Sequence, residues 1–208
     1  MIGGGGHARV LTESLRLSGV QLEGFIASDR EPSIEDVSWL GADSVLDTLD
    51  PRTVTLVNGV GSVGDSSARV RVWDLAKSRG FTFGTVVDPT ALVRPSAIVG
   101  EGVQVLMGAL VGTEADLGPN CIVNSGAVVD HGVRVGAHSH VSPGAAIAGD
   151  VTVGRETHIG LGARVIQRIR IGSRSVVGAG AVVIRDVGDD EVALGVPATA
   201  RQLDRPNG

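Results

Sequence analysis

Aromatic side chains are almost absent from this chain, which has three Phe, two Trp and no Tyr among its 208 residues. A core without aromatic rings must be filled by Val, Ile, Leu and Ala. Such small aliphatic side chains favour a narrow, regularly stacked structure over a thick globular core. The hydrophobic fraction of 42% nevertheless predicts a folded protein rather than a disordered one.

Cysteine, net positive charge and long apolar runs are also lacking. The single cysteine, Cys121, excludes an intrachain disulfide and a zinc site of the CxxC type. The formal net charge of −5 argues against general binding to nucleic acid or to an anionic membrane surface. No apolar run is long enough to span a bilayer and no signal peptide is visible, so we expect a cytoplasmic protein without membrane insertion.

An internal repeat of six residues runs through the second part of the chain. Every sixth residue from Val87 to Val183 is aliphatic, which gives seventeen consecutive positions without a break in register. A second column, four residues after each of these, consists mostly of small residues such as Ala109, Ala127 and Ala145. Glycine often follows the aliphatic residue, where we expect it to permit a left-handed backbone at a corner.

This pattern is similar to the hexapeptide repeat of left-handed parallel β-helices. In that fold each hexapeptide contributes a short strand and a turn, and three hexapeptides form a triangular coil with the aliphatic column inside. Seventeen hexapeptides, at three per coil, give between five and six coils, so we predict a β-helix over residues 87–208. An ice-binding solenoid is the alternative scaffold, but it needs a flat threonine-rich face, and threonine is sparse here.

The first 86 residues lack the repeat and alternate between strand and helix patterns. The segment Gly3–Ala8 matches G-x-G-x-x-A and precedes a helical pattern, while 22–26 and 53–57 resemble strands and 69–80 a second helix. This α/β alternation predicts a small Rossmann-like domain over residues 1–86, whose glycine-rich turn cradles a phosphate. Only two residues precede Gly3, so we expect either a start further upstream or an incomplete first strand. An NAD-binding fold and a tight loop without a ligand are the alternatives.

Both parts together resemble the sugar acetyltransferases of the NeuD/PglD type, which include sialic acid O-acetyltransferases and N-acetyltransferases of nucleotide-linked amino sugars. The glycine-rich segment from Gly3 to His7 and the closing segment Gly195-Val196-Pro197-Ala198 match that family's patterns. The resemblance implies a nucleotide-sugar in the N-terminal domain and acetyl-CoA in a groove between neighbouring β-helices of a homotrimer. The substrate-binding residues that it implies are Gly5, Gly6, His7, Asp29 and Gly61.

Acetyl transfer needs a base for the acceptor, and histidine suits this task because its ordinary pKa lies near neutrality. Of the five histidines, His131 lies in the segment from Asn124 to Gly132, which closely resembles the family segment that bears the catalytic base. The resemblance therefore implies that His131 takes the acceptor proton, and a surface histidine without a function is the alternative. The family often has an acidic residue at the position of Gly132, so we expect Asp130 or Asp116 to support the base instead.

One coil of 18 residues separates His131 from Gly149, since 131 + 18 = 149, so both residues lie in one column on adjacent coils. A glycine leaves its N–H accessible to a thioester oxygen, and we predict that the Gly149 N–H stabilises the oxyanion. The acetyl-CoA-binding residues that the resemblance implies are His140, Gly149, Leu161 and Ala179.

These features predict an acetyl-CoA-dependent acyltransferase that N-acetylates a nucleotide-linked amino sugar by direct attack on the thioester. A sugar O-acetyltransferase of the sialic acid type and a non-catalytic trimeric nucleotide-sugar-binding scaffold are the alternatives. A zinc hydratase on the same scaffold needs an H-x4-H spacing that the chain lacks, so we expect no metal. The resemblance places the reaction in surface polysaccharide biosynthesis.

Overall fold

A computed structural model of the chain describes residues 1–29 and 34–203. Its N-terminal part alternates short strands with helices. The elements are α1 (Gly6–Leu17), β1 (Phe25–Ile26), β2 (Trp39–Gly41), a 3-10 helix (Asp43–Asp47), β3 (Thr55–Leu56), α2 (Ser67–Ser78) and β4 (Thr82–Phe83). α1 forms because Ala8, Leu11 and Leu15 repeat at helical spacing and are buried together. Within the described ranges, no helix has the length and apolar character needed to cross a membrane.

The remaining chain forms three sheets on the sides of a triangular prism, and two-residue strands recur every six residues. The first sheet, named the domain face, contains β5 (Val86–Val87), β8 (Gln104–Val105), β11 (Ile122–Val123), β14 (His140–Val141), β17 (His158–Ile159) and β20 (Val176–Val177). It is closed by the antiparallel pair β22 (Glu191–Leu194) and β23 (Thr199–Gln202).

The other two sheets are named by the side chains that they expose. The apolar face contains β6 (Leu92–Val93), β9 (Leu110–Val111), β12 (Val128–Val129), β15 (Ala146–Ile147), β18 (Arg164–Val165) and β21 (Val182–Val183). The polar face contains β7 (Ile98–Val99), β10 (Asp116–Leu117), β13 (Arg134–Val135), β16 (Thr152–Val153) and β19 (Arg170–Ile171).

Successive coils are in strict register. Gln104 pairs with Ile122 and Ile122 with His140, and both steps are 18 residues (122 − 104 and 140 − 122). All pairings between coils are parallel, so the predicted parallel β-helix is confirmed, and its three-strand coils fit the left-handed form. Residues 18 apart are therefore neighbours on adjacent coils.

The interior of the prism is filled by the two predicted columns. The second residue of each strand points inward, and Val105, Val123 and Val141 are fully buried. The small-residue column is buried as well, and Cys121 lies within it. Val87 in the first coil is 39% exposed because no coil covers it from below.

The glycines that follow the aliphatic column have a different role from the one expected. Gly136 does not adopt a left-handed backbone, whereas His138, two residues later, does (φ 64°). A Cβ at Gly136 would lie 2.6 Å from the backbone nitrogen of Arg155 on the next coil. The expectation for these glycines is therefore wrong: they allow the coils to approach closely.

The N-terminal sheet includes the first strand that the sequence left in doubt. Ile2 forms parallel bridges to Ile26 on one side and to Asn58 on the other, so it lies between β1 and the end of β3. β1 also pairs with β2, and β3 with β4, both in parallel. The resulting order is β2, β1, Ile2, β3, β4. The glycine-rich loop begins directly after Ile2, at the C-terminal edge of this sheet.

The N-terminal part packs on the domain face and buries its outward residues Val86, Gln104 and Ile122. A buried Arg69 on α2 connects the two parts, because it donates to the backbone oxygen of Asn120 (3.1 Å) and to that of Val60 (2.7 Å). This docking covers one face of the prism and leaves the other two faces open.

Candidate functional site

A cavity of about 800 Å³ lies where the N-terminal sheet meets the domain face. Its walls are the loops that follow Ile2, β1 and β3, together with the start of α1. The lining residues include Gly3, Gly4, Gly5, Gly6, His7, Val10, Ala27, Ser28, Asp29, Asp43, Gly59, Val60, Gly61, Ser62, Val63, Val72, Leu106, Asn124 and His140. The structure thus brings all five predicted substrate-binding residues together around one cavity.

The glycine-rich loop and the start of α1 give this cavity an anion-binding end. α1 begins at Gly6, so the free N–H groups of its first turn lie beside the cavity and favour a negatively charged ligand. Gly61 packs closely against His7, since a Cβ at this position would lie 3.2 Å from the Cβ of His7.

Hydrogen bonds determine the tautomer of His7, and burial determines its charge. The side-chain amide of Gln104 donates through Nε2 to the backbone oxygen of Asn58 (2.8 Å), so its Oε1 accepts from His7 Nε2–H (2.7 Å). Burial lowers the pKa of His7 to about 4, against the opposing effect of the Gln104 hydrogen bond. His7 is therefore neutral at pH 7 and acts as a donor to Gln104.

A second, more apolar cavity of about 530 Å³ lies along the corner between the domain face and the apolar face. The lining residues are Val63, Gly64, Asn124, His140, Ser142, Pro143, His158, Gly160, Leu161, Val176, Val177, Gly178 and Ala179. Three of the predicted acetyl-CoA-binding residues, His140, Leu161 and Ala179, are therefore in one place. Val63, Asn124 and His140 line both cavities, so the cavities meet at these residues.

His140 is held neutral at this boundary. Its Nδ1–H donates to the backbone oxygen of Ser62 (2.8 Å), which can only accept, so Nε2 carries the lone pair and receives the Asn124 side-chain amide (3.0 Å). Burial, followed by the neighbouring His158, lowers the pKa of His140 to about 3. The ring can therefore accept a hydrogen bond within the cavity but carries no charge.

His131 and Gly149 lie together, but at a different corner from the two cavities. They occupy the corner between the apolar and polar faces, and neither residue lines either of the two cavities described above. The His131 imidazole lies directly over Gly149, where any Cβ would collide with the ring. Among the described residues, the Gly149 N–H finds no hydrogen-bond acceptor, and Gly149 is buried beneath the His131 ring.

The two carboxylates expected to support His131 do not reach its ring. Asp130 Oδ1 accepts from the backbone N–H of His131 (2.7 Å), which makes it a cap of the turn. Asp116 lies on the polar face, where its strand pairs with that of Arg134. In the described part of the chain, neither carboxylate hydrogen-bonds the imidazole.

Sequence reasoning missed several cavity residues. Asn124 directly follows a buried strand of the domain face and is equivalent to Ser142 on the next coil (142 − 124 = 18), so counting by coils could have placed it beside His140. Ser62, Val63 and Asp43 carry no such signal, because their positions depend on how the N-terminal part folds and docks. No cluster of three metal-ligating side chains occurs in residues 1–29 and 34–203.

We predict that His140 makes the protein less stable in acid. Because its pKa in the folded protein, about 3, lies below the ordinary 6.5, the unfolded chain binds a proton first as the pH falls. Stability is therefore full above pH 6.5 and decreases below it, by up to about 1.4 kcal/mol per pH unit for this residue. Denaturant unfolding at pH 6.5 and pH 4.5 should show a steeper loss for the native protein than for His140→Asn. Equal slopes would show that His140 does not titrate in this way.

No protein-family model matches this chain, and no curated protein does. Solved structures do match. Perosamine N-acetyltransferase from Caulobacter crescentus, solved as a histidine variant with CoA and GDP-perosamine, is 39% identical, with a TM-score of 0.89 over 96% of this chain and 94% of that one.

The acetyltransferase domain of PglB from Neisseria gonorrhoeae, solved with acetyl coenzyme A, is 33% identical, with a TM-score of 0.87 over 95% of this chain and 96% of that one. WeeI from Acinetobacter baumannii, at 16% identity and a TM-score of 0.60, shares the fold. The first two similarities extend over almost the whole of each chain. This chain therefore belongs to the hexapeptide-repeat sugar acetyltransferases.

Proposed function

We propose that this protein transfers the acetyl group of acetyl-CoA to the amine of a sugar linked to a nucleoside diphosphate. The observation that carries the proposal is the pair of cavities that meet at Val63, Asn124 and His140. One has a glycine-rich, anion-binding end, and the other is an apolar groove along the coil corners. A nucleotide-sugar in the first cavity and acetyl-CoA in the second would meet at this boundary.

The first cavity suits a nucleotide-sugar because of its place in the N-terminal sheet. The order β2, β1, Ile2, β3, β4 reverses direction at Ile2, and ligands of open parallel sheets bind at such a switch point. The loops after Ile2 and β3 line the cavity on the two sides of this point. We therefore propose that residues 1–86 form a Rossmann-like nucleotide-sugar-binding domain and 87–208 the acyltransferase domain.

We propose that a second chain completes the site, because His131 lies far from the groove of its own chain. His131 and Gly149 lie at one edge of the apolar face, and the groove of Leu161 and Ala179 lies at its other edge. The outward residues of this face are mostly apolar: Leu92, Leu110, Val128, Ala146, Arg164 and Val182. A homotrimer that buries this face would bring His131 of one protomer to the groove of the next, and a closed threefold ring repeats this site three times.

In this arrangement the reaction needs one base and one oxyanion donor. The sugar amine attacks the thioester carbonyl, a C–N bond forms, and His131 accepts the proton that the amine loses. The Gly149 N–H stabilises the oxyanion of the tetrahedral intermediate. When the C–S bond breaks, the thiolate leaves and takes up a proton, so the products are the acetamido sugar and CoA. No covalent enzyme intermediate is involved, since Cys121 is fully buried inside the prism.

The two co-substrates also indicate where the enzyme works. Acetyl-CoA and nucleotide-linked sugars are cytoplasmic metabolites, and acetamido sugars are building blocks of surface polysaccharides. We propose a cytoplasmic enzyme of polysaccharide biosynthesis on this basis.

The reaction can be tested by thiol release from acetyl-CoA with UDP-, GDP- and CMP-linked sugars, in amino and hydroxyl forms. We expect turnover with an amino sugar, first among the GDP-linked ones, because the relative at 39% identity was solved with GDP-perosamine. His131→Asn should reduce turnover by roughly 10²–10⁴ and leave acetyl-CoA binding unchanged. Acetylation of hydroxyl sugars alone would contradict N-acetylation, and full turnover in His131→Asn would contradict the role of His131.

The oligomer can be tested with two charge substitutions on neighbouring strands. Ala146→Glu places a carboxylate on the apolar face, whereas Thr152→Glu places the same group on the polar face six residues later. Burying an unpaired charge in an interface is unfavourable by several kcal/mol, so Ala146→Glu should yield monomers without turnover. Light scattering should show that Thr152→Glu remains a trimer with native activity. A fully active trimer of Ala146→Glu would exclude the apolar face as the interface.

A further inference from the structure

Few polar side chains line the second cavity, and they are concentrated at its end near the first cavity. The far end is walled by Leu161, Val176 and Ala179. The side chains with hydrogen-bonding groups are Asn124, His140, Ser142 and His158. Asn124 and His140 hydrogen-bond each other at the boundary between the cavities. Ser142 and His158 are therefore the polar pair that faces the apolar groove itself.

A single hydrogen bond joins these two side chains, and its direction can be derived. Ser142 Oγ and His158 Nε2 are 3.2 Å apart, while His158 Nδ1 is buried with no partner in the part of the chain that the structure describes. Burial lowers the pKa of His158, so the ring is neutral at pH 7 and carries one N–H. A buried N–H without an acceptor is less favourable than a buried lone pair without a donor. The proton is therefore on Nε2, and His158 donates to Ser142.

This direction leaves the proton of the Ser142 hydroxyl without an acceptor. Ser142 Oγ receives the His158 N–H, and within residues 1–29 and 34–203 no acceptor for its own O–H is found. Ser142 is only 4% exposed, so bulk water hardly reaches the group. A buried hydroxyl proton without an acceptor is unfavourable. A carbonyl group of a ligand in the groove would satisfy it.

The position of Ser142 along the prism indicates which carbonyl this is. Ser142 lies one coil above Asn124 (142 − 124 = 18), and thus one coil above the boundary where the two cavities meet. The equivalent positions on the next two coils are Gly160 and Gly178, so no side chain rises from the groove floor beyond Ser142. A Cβ at Gly160 would lie 2.5 Å from the backbone oxygen of Val177. The Ser142 hydroxyl is thus the last side-chain donor on this floor.

We propose that Ser142 binds the first amide carbonyl of the pantetheine arm of acetyl-CoA, and that His158 is the positioning residue of Ser142. The proposal rests on the function proposed above and assigns residues to donor recognition. Two methylene groups separate the thioester sulfur from this amide, a span similar to the spacing of one coil, about 4.8 Å. With the amide on Ser142, the thioester lies at the boundary beside Asn124 and His140. The apolar walls then contact the rest of the arm.

The first test removes the hydroxyl. Ser142→Ala should raise KM for acetyl-CoA about 5- to 10-fold, the effect of one hydrogen bond, and leave kcat within about twofold of native, because the amide is bound equally before and during the reaction. Ser173→Ala is the matched control, since Ser173 lies at the corner between the polar and domain faces, outside both cavities. Its KM should be native. A native KM for Ser142→Ala would overturn the proposal.

The second test moves the deletion to the donor. S-acetyl-N-acetylcysteamine contains the first amide of the arm, whereas S-butyl thioacetate has a hydrocarbon chain in its place. The native protein should use the amide donor with a kcat/KM about 5- to 10-fold higher, and Ser142→Ala should use both equally well. An unchanged preference in Ser142→Ala would show that the amide is recognised elsewhere, which also overturns the proposal.

The third test addresses the role of His158. His158→Phe keeps an aromatic ring but no donor, so the Ser142 hydroxyl is free to rotate, and KM for acetyl-CoA should rise about 3-fold. Added to Ser142→Ala, the same substitution should have no further effect, because there is no hydroxyl left to orient. Equal effects of His158→Phe in both backgrounds would contradict the positioning role.

The native protein separates this proposal from the function on which it rests. Thiol release with an amino sugar, together with a native KM in Ser142→Ala, would overturn the assignment of Ser142 and leave the proposed function intact. Absence of both acetyl-CoA binding and thiol release in the native protein would contradict the proposed function, and the assignment with it.

Discussion

The stacking of 18-residue coils in strict register is the constraint on which the rest of this structure depends. Each strand satisfies its backbone hydrogen bonds with the coils above and below, so residues 18 apart in the chain become neighbours in one column. Pairs of residues on adjacent coils therefore form the local environment of each side chain. The pairs His131 with Gly149, His140 with His158, and Gly132 with Asp150 all follow from this geometry.

The three faces of the prism share one interior but differ in what they present outward. The domain face carries Gln104, Ile122 and His140, and the N-terminal part covers it through Arg69 and through packing of α1 and α2. The polar face exposes charged side chains, which are readily solvated. The apolar face remains, and its two edges carry His131, the proposed base, on one side and the groove of Leu161 and Ala179 on the other. Burial of apolar surface, which drives folding within each coil, thereby also favours the assembly that would complete the site.

Much of the β-helix could be predicted from the sequence because its period is visible in the residues themselves. Adding 18 to His131 gives Gly149, and the structure does place the imidazole over that glycine. The inward position of Cys121 follows from the same counting. Periodicity also indicated glycines at the corners, but it could not show that Gly136 permits close approach of coils rather than a left-handed turn.

The remainder depends on contacts between segments far apart in the chain. The tautomer of His140 is set by Ser62, 78 residues away, and that of His7 by Gln104, 97 residues away. The single bridging residue Ile2 completes a sheet that no strand pattern could reveal. The support of His131 was expected from Asp130 or Asp116, the acidic residues nearest in the repeat. Asp130 instead accepts from the backbone N–H of His131, and this orientation of the side chain is a property of packing that a sequence does not display.

The central claim is that catalysis takes place between two chains, with His131 from one and the groove from its neighbour. Two inactive variants test it: His131→Asn, which lacks the base, and Leu161→Glu, which blocks the groove. Mixed trimers can be formed from equal amounts of both chains and their thiol release measured. A random mixture should recover about one quarter of native activity, because each site needs a native half from each of two chains. A mixture as inactive as its parents would show that base and groove act within one chain, which contradicts the account.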